Sequence, residues 1–503
     1  MNNEEFNYNY NHLKEFYEGN SSIKIHQIEK KQDQQNEPYY LMRETNLLFF
    51  KDEQHAKAML NLKLFNILQP HEIITHQNQI LIIMKDWRSY RLSENQLNKQ
   101  NIEFILLQLA ITLNELSQKK ITWNLSSISQ LYLIEDCVFI QLFDLEDSHF
   151  KLHIPNIDIF KSFVRKYVPQ LIQILDINMD NFDKIINYLL SFVKGLRINQ
   201  QNHFGLNLFF KIMQISSSYG MEDIYTVEFN TPKVFETVFG IESKSILYRS
   251  YDLSKPNRNQ QLEYQNREIF VTEKLSKTSN ILINFSYLRL FSQTFFFQKK
   301  FFMTLAEAAE QNKAKNIDNI AYRKIAYRAI NELSKGISIF HKAGIMHRNI
   351  SPQSIYIDNE NLVYAHFYIG DQGKAKEESL TNLGTQQSSS YQFHAPEGMQ
   401  DITMKSDIYQ FGLVALLLLN KGTPLFSFCF LDAEEIEKKF NPDYINNILI
   451  KNKLEYDKKL IEIIVQCLKQ NPKDRPETVE IEKKVSSIYR NQRIRIVEMN
   501  VQK

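Results

Sequence analysis

The chain has 503 residues, 43% of them hydrophobic, which suggests two to four domains at the usual ~100–200 residues each. Sixty basic and 58 acidic residues leave a net charge of +2, so composition gives no sign of nucleic-acid or anionic-membrane binding. The three cysteines lack CxxC spacing, which disfavours a disulfide framework and a zinc site. The longest apolar run, 413–419, is shorter than the ~18 residues of a membrane span, and the N-terminal stretch is no signal peptide. We therefore expect an intracellular protein, cytoplasmic or nuclear, that binds neither nucleic acid nor membrane.

The first predicted elements are strands followed by a helix. The stretches 37–45 (EPYYLMRET, which contains Arg43) and 80–87 (ILIIMKDW) are typical of strands. Over 101–121, apolar residues recur at spacings of three and four, which predicts a helix. A short motif, WNLSSISQLYL, follows at 123–133.

The first half then continues with one more strand region and further helices. The stretch 137–147 (CVFIQLFDLED) contains Asp144, and Asp158 lies in IDIFKSF soon after it. Helical patterns over 171–196 close this half. The polar sequence NQQN at 199–202 predicts a junction between domains.

The second half begins again with strands. Arg249 lies in the strand-like SILYRSY, and a predicted helix over 266–282 contains Glu268. The sequence TFFFQKKF at 294–301 predicts another strand, and a longer helix is predicted over 325–345.

Five landmarks follow this helix in order. They are HRNISPQSIYI at 347–357, two strand-like runs ending in Asp371-Gln372-Gly373, HAPE at 394–397, KSDIYQFGLVALLLL at 405–419 and CLKQNPKDRPE at 467–477. Their order and intervals form the strongest motif signal in the chain.

The two halves share an internal repeat. The motif of the first half aligns without gaps on that of the second, pairing Asn124 with Asn349, Ser126 with Ser351 and Ser129 with Ser354. Asn124 lies 20 residues before Asp144, and Asn349 lies 22 residues before Asp371. Asp158 follows Asp144 by 14 residues, whereas Asp407 follows Asp371 by 36. The first copy therefore lacks most of the segment between these aspartates.

The second half resembles the protein kinases. His347-Arg348-Asn349 stands where kinases have His-Arg-Asp, Asp371-Gln372-Gly373 stands for Asp-Phe-Gly, and Ala395-Pro396-Glu397 matches Ala-Pro-Glu. The resemblance implies an α+β fold class: two protein-kinase-like bilobal folds in tandem, each with a small sheet-rich lobe and a larger helical lobe. For the first half, an unrelated α/β domain with a chance motif match is the alternative.

The resemblance also implies domain boundaries. Residues 8–200 would form a degenerate kinase-like domain that lacks an activation segment, residues 203–490 a protein-kinase-like domain, and residues 491–503 a C-terminal tail. Because Thr122-Trp123-Asn124 removes the loop histidine and arginine, we expect the first domain to bind no nucleotide and to stabilise its neighbour.

Roles for particular residues follow from the same resemblance. Glu397 is expected to pair with Arg475, and Asp407 to brace the catalytic-type loop from the helix that follows. Candidate nucleotide-binding residues are Arg249, at the position of the kinase lysine, Glu268, its acidic partner, and Asp371, which would hold Mg²⁺. ATP and Mg²⁺ are therefore possible cofactors. Asp371 can equally be a turn residue, in which case neither cofactor binds.

The catalytic positions are not intact. Asn349 cannot accept the proton that the kinase aspartate takes, and a positioned base typically contributes ~10²–10⁴-fold. Ser351 replaces the loop lysine, and Ser354 replaces the loop asparagine without offering a carbonyl oxygen to Mg²⁺. The first half has the same departures at Asn124, Ser126 and Ser129.

These departures predict a pseudokinase, a catalytically impaired kinase-like protein that acts as a scaffold or allosteric partner of other proteins, such as an active kinase. Two alternatives stay open. One is a divergent active Ser/Thr protein kinase that transfers phosphate from ATP. The other is an ATP-binding sensor without transfer.

Arg348, beside the altered base, suggests regulation. In active relatives an arginine in this place binds a phosphate on the segment that corresponds to 377–392, which is rich in hydroxyl residues here. A phosphate adds ~1.5–2 negative charges and three acceptor oxygens, enough to order a loop. We hypothesise that another kinase phosphorylates this segment and that Arg348 binds the phosphate. An unmodified, solvated loop is the alternative.

Overall fold

Contacts within the chain divide it into two units, Met1–Arg258 with Phe285–Phe297, and Asn259–Asn284 with Gln298–Lys503. The residues described by this computed structural model are 10–17, 24–30, 40–46, 62–68, 72–76, 79–85, 87–94, 102–123, 128–134, 137–141, 145–147, 155–172, 179–192, 210–219, 222–229, 234, 237–238, 246–252, 258–275, 280–281, 284, 286–290, 293–299, 301–377, 393–398, 402–425 and 438–501.

The first half of the chain is a sheet followed by helices and short strands. Its strands are β1 (Tyr10–Tyr17), β2 (Lys24–Lys30), β3 (Tyr40–Asn46), β4 (Ile67–Leu68), β5 (Glu72–His76), β6 (Gln79–Lys85), β7 (Ile121–Trp123), β8 (Leu131–Ile134), β9 (Cys137–Gln141) and β10 (Leu145–Asp147). Its helices are α1 (Ile102–Gln118), α2 (Asn156–Tyr167) and α3 (Phe182–Phe192). α1 is apolar on nearly every side, which is typical of a helix surrounded by core.

The second half also begins with strands, and helices and short strands follow them. Its strands are β11 (Phe210–Tyr219), β12 (Glu222–Phe229), β13 (Ile246–Asp252), β14 (Ser286–Leu290), β15 (Gln293–Lys299), β16 (Met303–Thr304), β17 (Ile345–Met346), β18 (Ile355–Ile357), β19 (Phe367–Ile369) and β20 (Lys376–Glu377). Its helices are α4 (Arg258–Lys274), α5 (Leu305–Glu310), α6 (Asn319–Lys342), α7 (Met404–Leu419), α8 (Pro442–Lys451), α9 (Lys458–Cys467) and α10 (Thr478–Val501).

The two five-stranded sheets have the same strand order. The first runs β1-β2-β3-β6-β5 and the second β11-β12-β13-β15-β14. When the strands of each sheet are counted in chain order, the fourth (β5 or β14) lies at the edge. The fifth (β6 or β15) lies between the fourth and the third. This matching order is a property of the backbone, independent of the sequence motif that suggested a repeat.

Shorter pairings also recur in the two halves. The hairpin β8/β9 corresponds to β18/β19, and the pair β7/β10 corresponds to β17/β20; all four pairings are antiparallel. β4 runs parallel to β9, and Ile281 makes a parallel bridge to Ile369 in β19. The two halves therefore share both sheet order and local pairing.

The core of the second unit surrounds α6 and α7. α6 begins where the Asp318 carboxylate accepts hydrogen bonds from two backbone N–H groups, and α7 begins where the Thr403 hydroxyl does the same for Lys405 N. Both helices contribute a dense apolar face to one core that also includes β18, β19 and α9. The loop between β17 and β18 packs against this core, which holds the buried side chains of the loop in place.

Several predicted boundaries differ from the observed ones, although the mixed α+β class is confirmed. The helix predicted over 266–282 is α4, which starts at Arg258 and ends at Lys274, because the glutamines, glutamates and arginines at its start are good helix formers without an apolar period. The predicted C-terminal tail, 491–503, is helical as far as Val501, where α10 ends. Among the helices described, none has the length and apolar character needed to cross a bilayer.

Candidate functional site

The loop that begins at His347 is held by one buried carboxylate. Asp407, on the first turn of α7, accepts hydrogen bonds from the backbone N–H groups of His347 and Arg348, both at 2.7 Å. His341 Nε2, 3.0 Å away, donates a third, since a carboxylate can only accept. Arg348 has a left-handed backbone (φ 67°), which costs a non-glycine residue ~1–2 kcal/mol. The bonds to Asp407 offset that cost and fix the turn.

His347 is part of the packing. Its side chain is buried, its Nε2 lies 2.9 Å from the carbonyl oxygen of Gly370, and its ring meets that of Phe340 edge-on at 5.1 Å. The imidazole thus ties the loop to the end of β19. This arrangement agrees with a structural role rather than a catalytic one.

Asn349 contacts the aspartate that the kinase resemblance assigns to metal binding. Its Nδ2 donates to Asp371 Oδ2 at 2.7 Å, and the Asn349 side chain is buried. Asp371 adopts a left-handed backbone (φ 61°), which aspartate tolerates better than most residues. The residue in the place of the base is therefore a hydrogen-bond donor to the carboxylate in the place of the metal ligand.

The two loop serines are bound within the loop. The Ser354 hydroxyl donates to the Asn349 carbonyl oxygen at 2.7 Å and accepts from Ser351 N at 3.0 Å. Both serines are buried. Ile350 N donates to Gln410 Oε1 at 3.0 Å, which adds a second tie from α7. The Ser354 hydroxyl group therefore stabilises the loop through hydrogen bonds to the loop's own backbone.

Glu268 is fully buried on α4 with an amide as its described partner. Asn284 Nδ2 lies 2.9 Å from Glu268 Oε1 and 3.1 Å from Thr272 Oγ1. Arg249 lies in β13, but its side chain is outside the described residues, so a pair between Arg249 and Glu268 stays a prediction. Asn284 lies outside every predicted element, so sequence patterns did not identify it as a partner of Glu268.

Arg475 and Glu397 come together in a two-pronged ion pair. Both guanidinium end nitrogens lie 2.8 Å from the two Glu397 oxygens, and the Arg475 side chain is 0% exposed. The remaining N–H groups donate to backbone carbonyl oxygens of Lys469, Lys405 and Gln470. All five guanidinium N–H directions are therefore used, which a lysine could not reproduce.

The surroundings of this pair shift two pKa values. Burial alone would raise the pKa of Glu397, but hydrogen bonds from Arg475 and Ser406 outweigh it and lower the pKa below the ordinary value. Burial raises the pKa of Tyr409 to about 12, while Arg475, whose guanidinium lies 4.8 Å from the Tyr409 ring centroid, opposes that rise. Glu397 is therefore held as an anion at neutral pH.

A second arginine lies close to Arg348. Burial lowers the pKa of Arg348, the nearby Arg267 on α4 lowers it further, and Asp407 opposes both effects. Arg267 donates through Nη2 to Glu263 at 3.0 Å. Within the described part of the chain, the buried Nη1 atoms of both arginines have no hydrogen-bond partner. The sequence motifs pointed to Arg348 alone and missed Arg267, one residue before the predicted acid.

The first half has an amide where the second has the Asp407 brace. Asn156, at the start of α2, is buried and donates to the carbonyl oxygens of Ile121 at 2.8 Å and Leu113 at 3.4 Å. Asp158, the residue expected to match Asp407, is exposed on the surface of α2. In the first half, a side chain of α2 therefore donates to backbone carbonyl groups. In the second half, a side chain of α7 accepts from backbone N–H groups.

Some predicted site residues lie outside the described residues. They are Asn124, Ser126 and Asp144, together with 378–392 of the hydroxyl-rich segment. Ser129 lies in the short helical turn Ile128–Gln130, where only its backbone is described. The roles predicted for these residues stay predictions.

The described side chains offer few oxygen ligands to Mg²⁺ without a bound nucleotide. Mg²⁺ prefers several oxygen ligands in near-octahedral geometry. Asp371 offers one carboxylate, with one oxygen already bound by Asn349, and Ser354 uses its hydroxyl within the loop. In the part of the chain that the structure describes, no group of three or more His, Cys, Asp or Glu side chains could hold a metal.

Comparison with known proteins finds similarity in the part of the chain that contains this loop. Residues 241–485 match the family model described as Protein kinase domain. The chain is 30% identical over 168 residues to the interferon-induced, double-stranded RNA-activated protein kinase of Mus musculus, covering 32% of this chain and 28% of that protein. It is 26% identical over 194 residues to the receptor-interacting serine/threonine-protein kinase 1 of Homo sapiens, covering 35% and 28%.

A third relative, the serine/threonine-protein kinase Nek9 of Xenopus laevis, is 28% identical over 155 residues, covering 30% of this chain and 15% of that protein. The chain thus spans less than a third of the length of each of these relatives. The predicted resemblance of the second half to the kinase superfamily is confirmed. The C-terminal half of this chain carries a protein-kinase-like domain.

Proposed function

We propose that this protein is a pseudokinase that acts as a scaffold or allosteric partner of other signalling proteins, such as an active kinase. The observation that carries the proposal is the 2.7 Å hydrogen bond from the Asn349 amide to Asp371. An amide that donates to this carboxylate cannot take a proton from a substrate hydroxyl. The same bond occupies an oxygen that an active kinase would give to its metal.

The serines of the loop support the same conclusion. Phosphoryl transfer depends on a few fixed groups that position the phosphate and neutralise its charge. Ser351 carries no charge, and Ser354 directs its hydroxyl to the loop backbone instead of a metal. Several of these groups are therefore replaced at once.

The scaffold of the loop, by contrast, is retained. The Asp407 brace and the Arg475–Glu397 pair keep the turn and its supporting helix in place. A loop that keeps its shape without its catalytic groups fits a protein whose surface is recognised by others. Fold alone does not determine this, so the proposal depends on the site.

The first test is phosphate transfer from radiolabelled ATP by the full chain, to itself and to a generic substrate. We expect no incorporation above that of Asp371→Ala. Asn349→Asp is the matched variant, because it restores the missing carboxylate alone. We expect it to stay inactive, since Ser351 and Ser354 are unchanged. Transfer by the unmodified chain that Asp371→Ala abolishes would instead establish the divergent Ser/Thr kinase.

Melting with ATP and Mg²⁺ separates the sensor from the scaffold. A ligand at 100 times its Kd stabilises the folded state by ~2.7 kcal/mol. Because Asn349 already binds one Asp371 oxygen and Ser354 keeps its hydroxyl within the loop, we expect no magnesium-dependent shift of the Tm. A shift with ATP and Mg²⁺ that Asp371→Ala removes, without transfer, would favour the ATP sensor.

We also propose that residues 8–200 are a second, degenerate kinase-like domain without an activation segment and without bound nucleotide. The equal strand order of the two sheets and the recurring short pairings support this proposal. The Asn156 amide supports the degeneracy, because it donates to the Ile121 carbonyl oxygen, whereas the Asp407 carboxylate accepts from two backbone N–H groups of its loop.

Phosphate capture by Arg348 is a regulatory proposal that Arg267 strengthens. Two buried guanidinium N–H groups without an acceptor, on neighbouring arginines, favour a bound anion. We expect mass spectrometry of native protein to find phosphate within 377–392. We further expect Arg348→Ala to make the phosphorylated segment more sensitive to protease, while the exposed Arg490→Ala does not. An unmodified segment, or equal cleavage of all three proteins, contradicts the proposal.

A further inference from the structure

A short stretch of the first half pairs with the sheet of the second half. Phe65 N donates to the Tyr287 carbonyl oxygen at 2.9 Å, and Tyr287 N donates to the Lys63 carbonyl oxygen at 2.8 Å. Leu64 and Tyr287 thereby form a parallel bridge along β14, the edge strand of that sheet. We call Leu62–Leu68 the coupling segment. Every one of its residues is buried.

The other end of the coupling segment is bound within the first half. Asn66 Nδ2 donates to Gln108 Oε1 on α1 at 3.1 Å and to the Val138 carbonyl oxygen at 2.7 Å. Ile140 N donates to the Asn66 carbonyl oxygen at 3.0 Å, and Ile67–Leu68 pair with β9. One continuous backbone therefore carries hydrogen bonds to both halves of the chain.

The side chain of Phe65 repeats this double attachment. Its ring centroid lies 6.1 Å from that of Phe139 in β9 and 5.2 Å from that of Phe297 in β15. All three rings are almost completely buried. Such aromatic pairs contribute about 0.5–1.5 kcal/mol beyond the area that they bury.

The end of α1 adds polar contacts to the same edge strand. Arg289 in β14 donates through Nη1 to Gln118 at 2.8 Å, and its Nε lies 3.7 Å from Glu115 Oε1. The Glu115 side chain is 3% exposed, so its carboxylate lies near the Arg289 guanidinium group in a poorly hydrated environment. Lys119 Nζ lies 5.8 Å from the Tyr287 ring centroid.

We propose that the first half of the chain regulates the kinase-like domain of the same chain through the coupling segment. The segment occupies the edge of β14, where a strand of another chain could otherwise pair, and it fixes the strand pair β14/β15. Coupling of this kind is reciprocal. A protein that binds the first half more tightly when these contacts are formed therefore stabilises β14/β15, and stabilising β14/β15 strengthens its binding to the first half by the same factor. The inference does not depend on whether the domain transfers phosphate.

The test is hydrogen exchange of the full chain with two matched variants. Phe65→Leu removes the ring that contacts both halves, and Phe160→Leu removes an equally buried ring that faces Phe182 within the first half. We expect Phe65→Leu to speed exchange in β14 by about tenfold or more, and Phe160→Leu to speed it only in α2 and α3. Exchange in β14 that is unchanged in Phe65→Leu, or raised equally by both variants, overturns the proposal.

A second measurement keeps the test decisive if Phe65→Leu fails to fold. If Glu115 and Arg289 act as one contact, Glu115→Gln should lower the Tm less when Arg289→Gln is already present. Glu103→Gln, on the first turn of α1, is the control and should add its full effect to that of Arg289→Gln. Full additivity of Glu115→Gln with Arg289→Gln would overturn the coupling.

Discussion

Replacing Arg475 by alanine is expected to destabilise the folded protein by about 3–5 kcal/mol, because it leaves the largely buried Glu397 carboxylate without its cation. It also removes the donors of three backbone carbonyl groups, two just after α9 and one at the start of α7. The effect is measured as a lower denaturation midpoint in urea. Arg475→Lys should recover only part of the loss, since an ammonium group cannot form the two-pronged pair.

Asn349→Ala is the comparison within the site. It removes one hydrogen bond to Asp371, which is only half-buried and can bind water in place of the amide, so we expect a loss of about 1 kcal/mol. Arg490→Ala, on an exposed turn of α10, controls for loss of positive charge and should change the midpoint little. Equal midpoints for Arg475→Ala and Asn349→Ala would mean that Arg475 does not stabilise the fold in this way.

The contribution of Glu397 should depend on pH. Its pKa is lower in the folded than in the unfolded protein, so its contribution is fully present above the unfolded pKa. That contribution is lost as the pH falls through the folded pKa. The difference in stability between the unmodified chain and Glu397→Gln should therefore shrink on acidification through the carboxyl range. A constant difference would contradict the charged pair.

Local sequence patterns were most informative where function fixes the order of motifs. The pairing of Glu397 with Arg475, and of Asp407 with the loop, was implied by the resemblance to the protein kinases that the order of the motifs revealed. α4 was misplaced because its buried face includes Gln261, Gln265 and Glu268, and a polar buried face has no apolar period to read. Its polar groups are stabilised by tertiary hydrogen bonds, such as that from Asn284, which local patterns do not contain.

The coupling segment was missed for a related reason. It forms no long regular element, and its partners lie far away in the sequence at Gln108, Val138 and Tyr287. A run of apolar residues predicts burial but not the surface against which it is buried. Asn156 was not predicted because Asp158, two residues later, lies in IDIFKSF, which resembles the motif around Asp407.

The fragment 203–503, expressed without the first half, is expected to aggregate. It would lack the coupling segment and expose the backbone of β14 beside the rings of Tyr287 and Phe297, which are 0% and 1% exposed in the full chain. An uncovered edge strand with apolar neighbours is a site for pairing with other chains. Size-exclusion chromatography with light scattering should find large species for the fragment and a defined species for the full chain. A soluble fragment that melts cooperatively would refute the stabilising role of the first half.

Co-expression of 1–202 with this fragment tests whether the same surface is responsible. If Leu62–Leu68 covers the edge of β14, the separate first half should restore a soluble complex, since no covalent link is needed for its hydrogen bonds and ring contacts. The first half with Phe65→Leu should rescue less than the first half with Phe160→Leu, because the Phe65 ring packs against Phe297, whereas the Phe160 ring packs against Phe182. Equal rescue by the two variants would assign the stabilisation to another part of the first half.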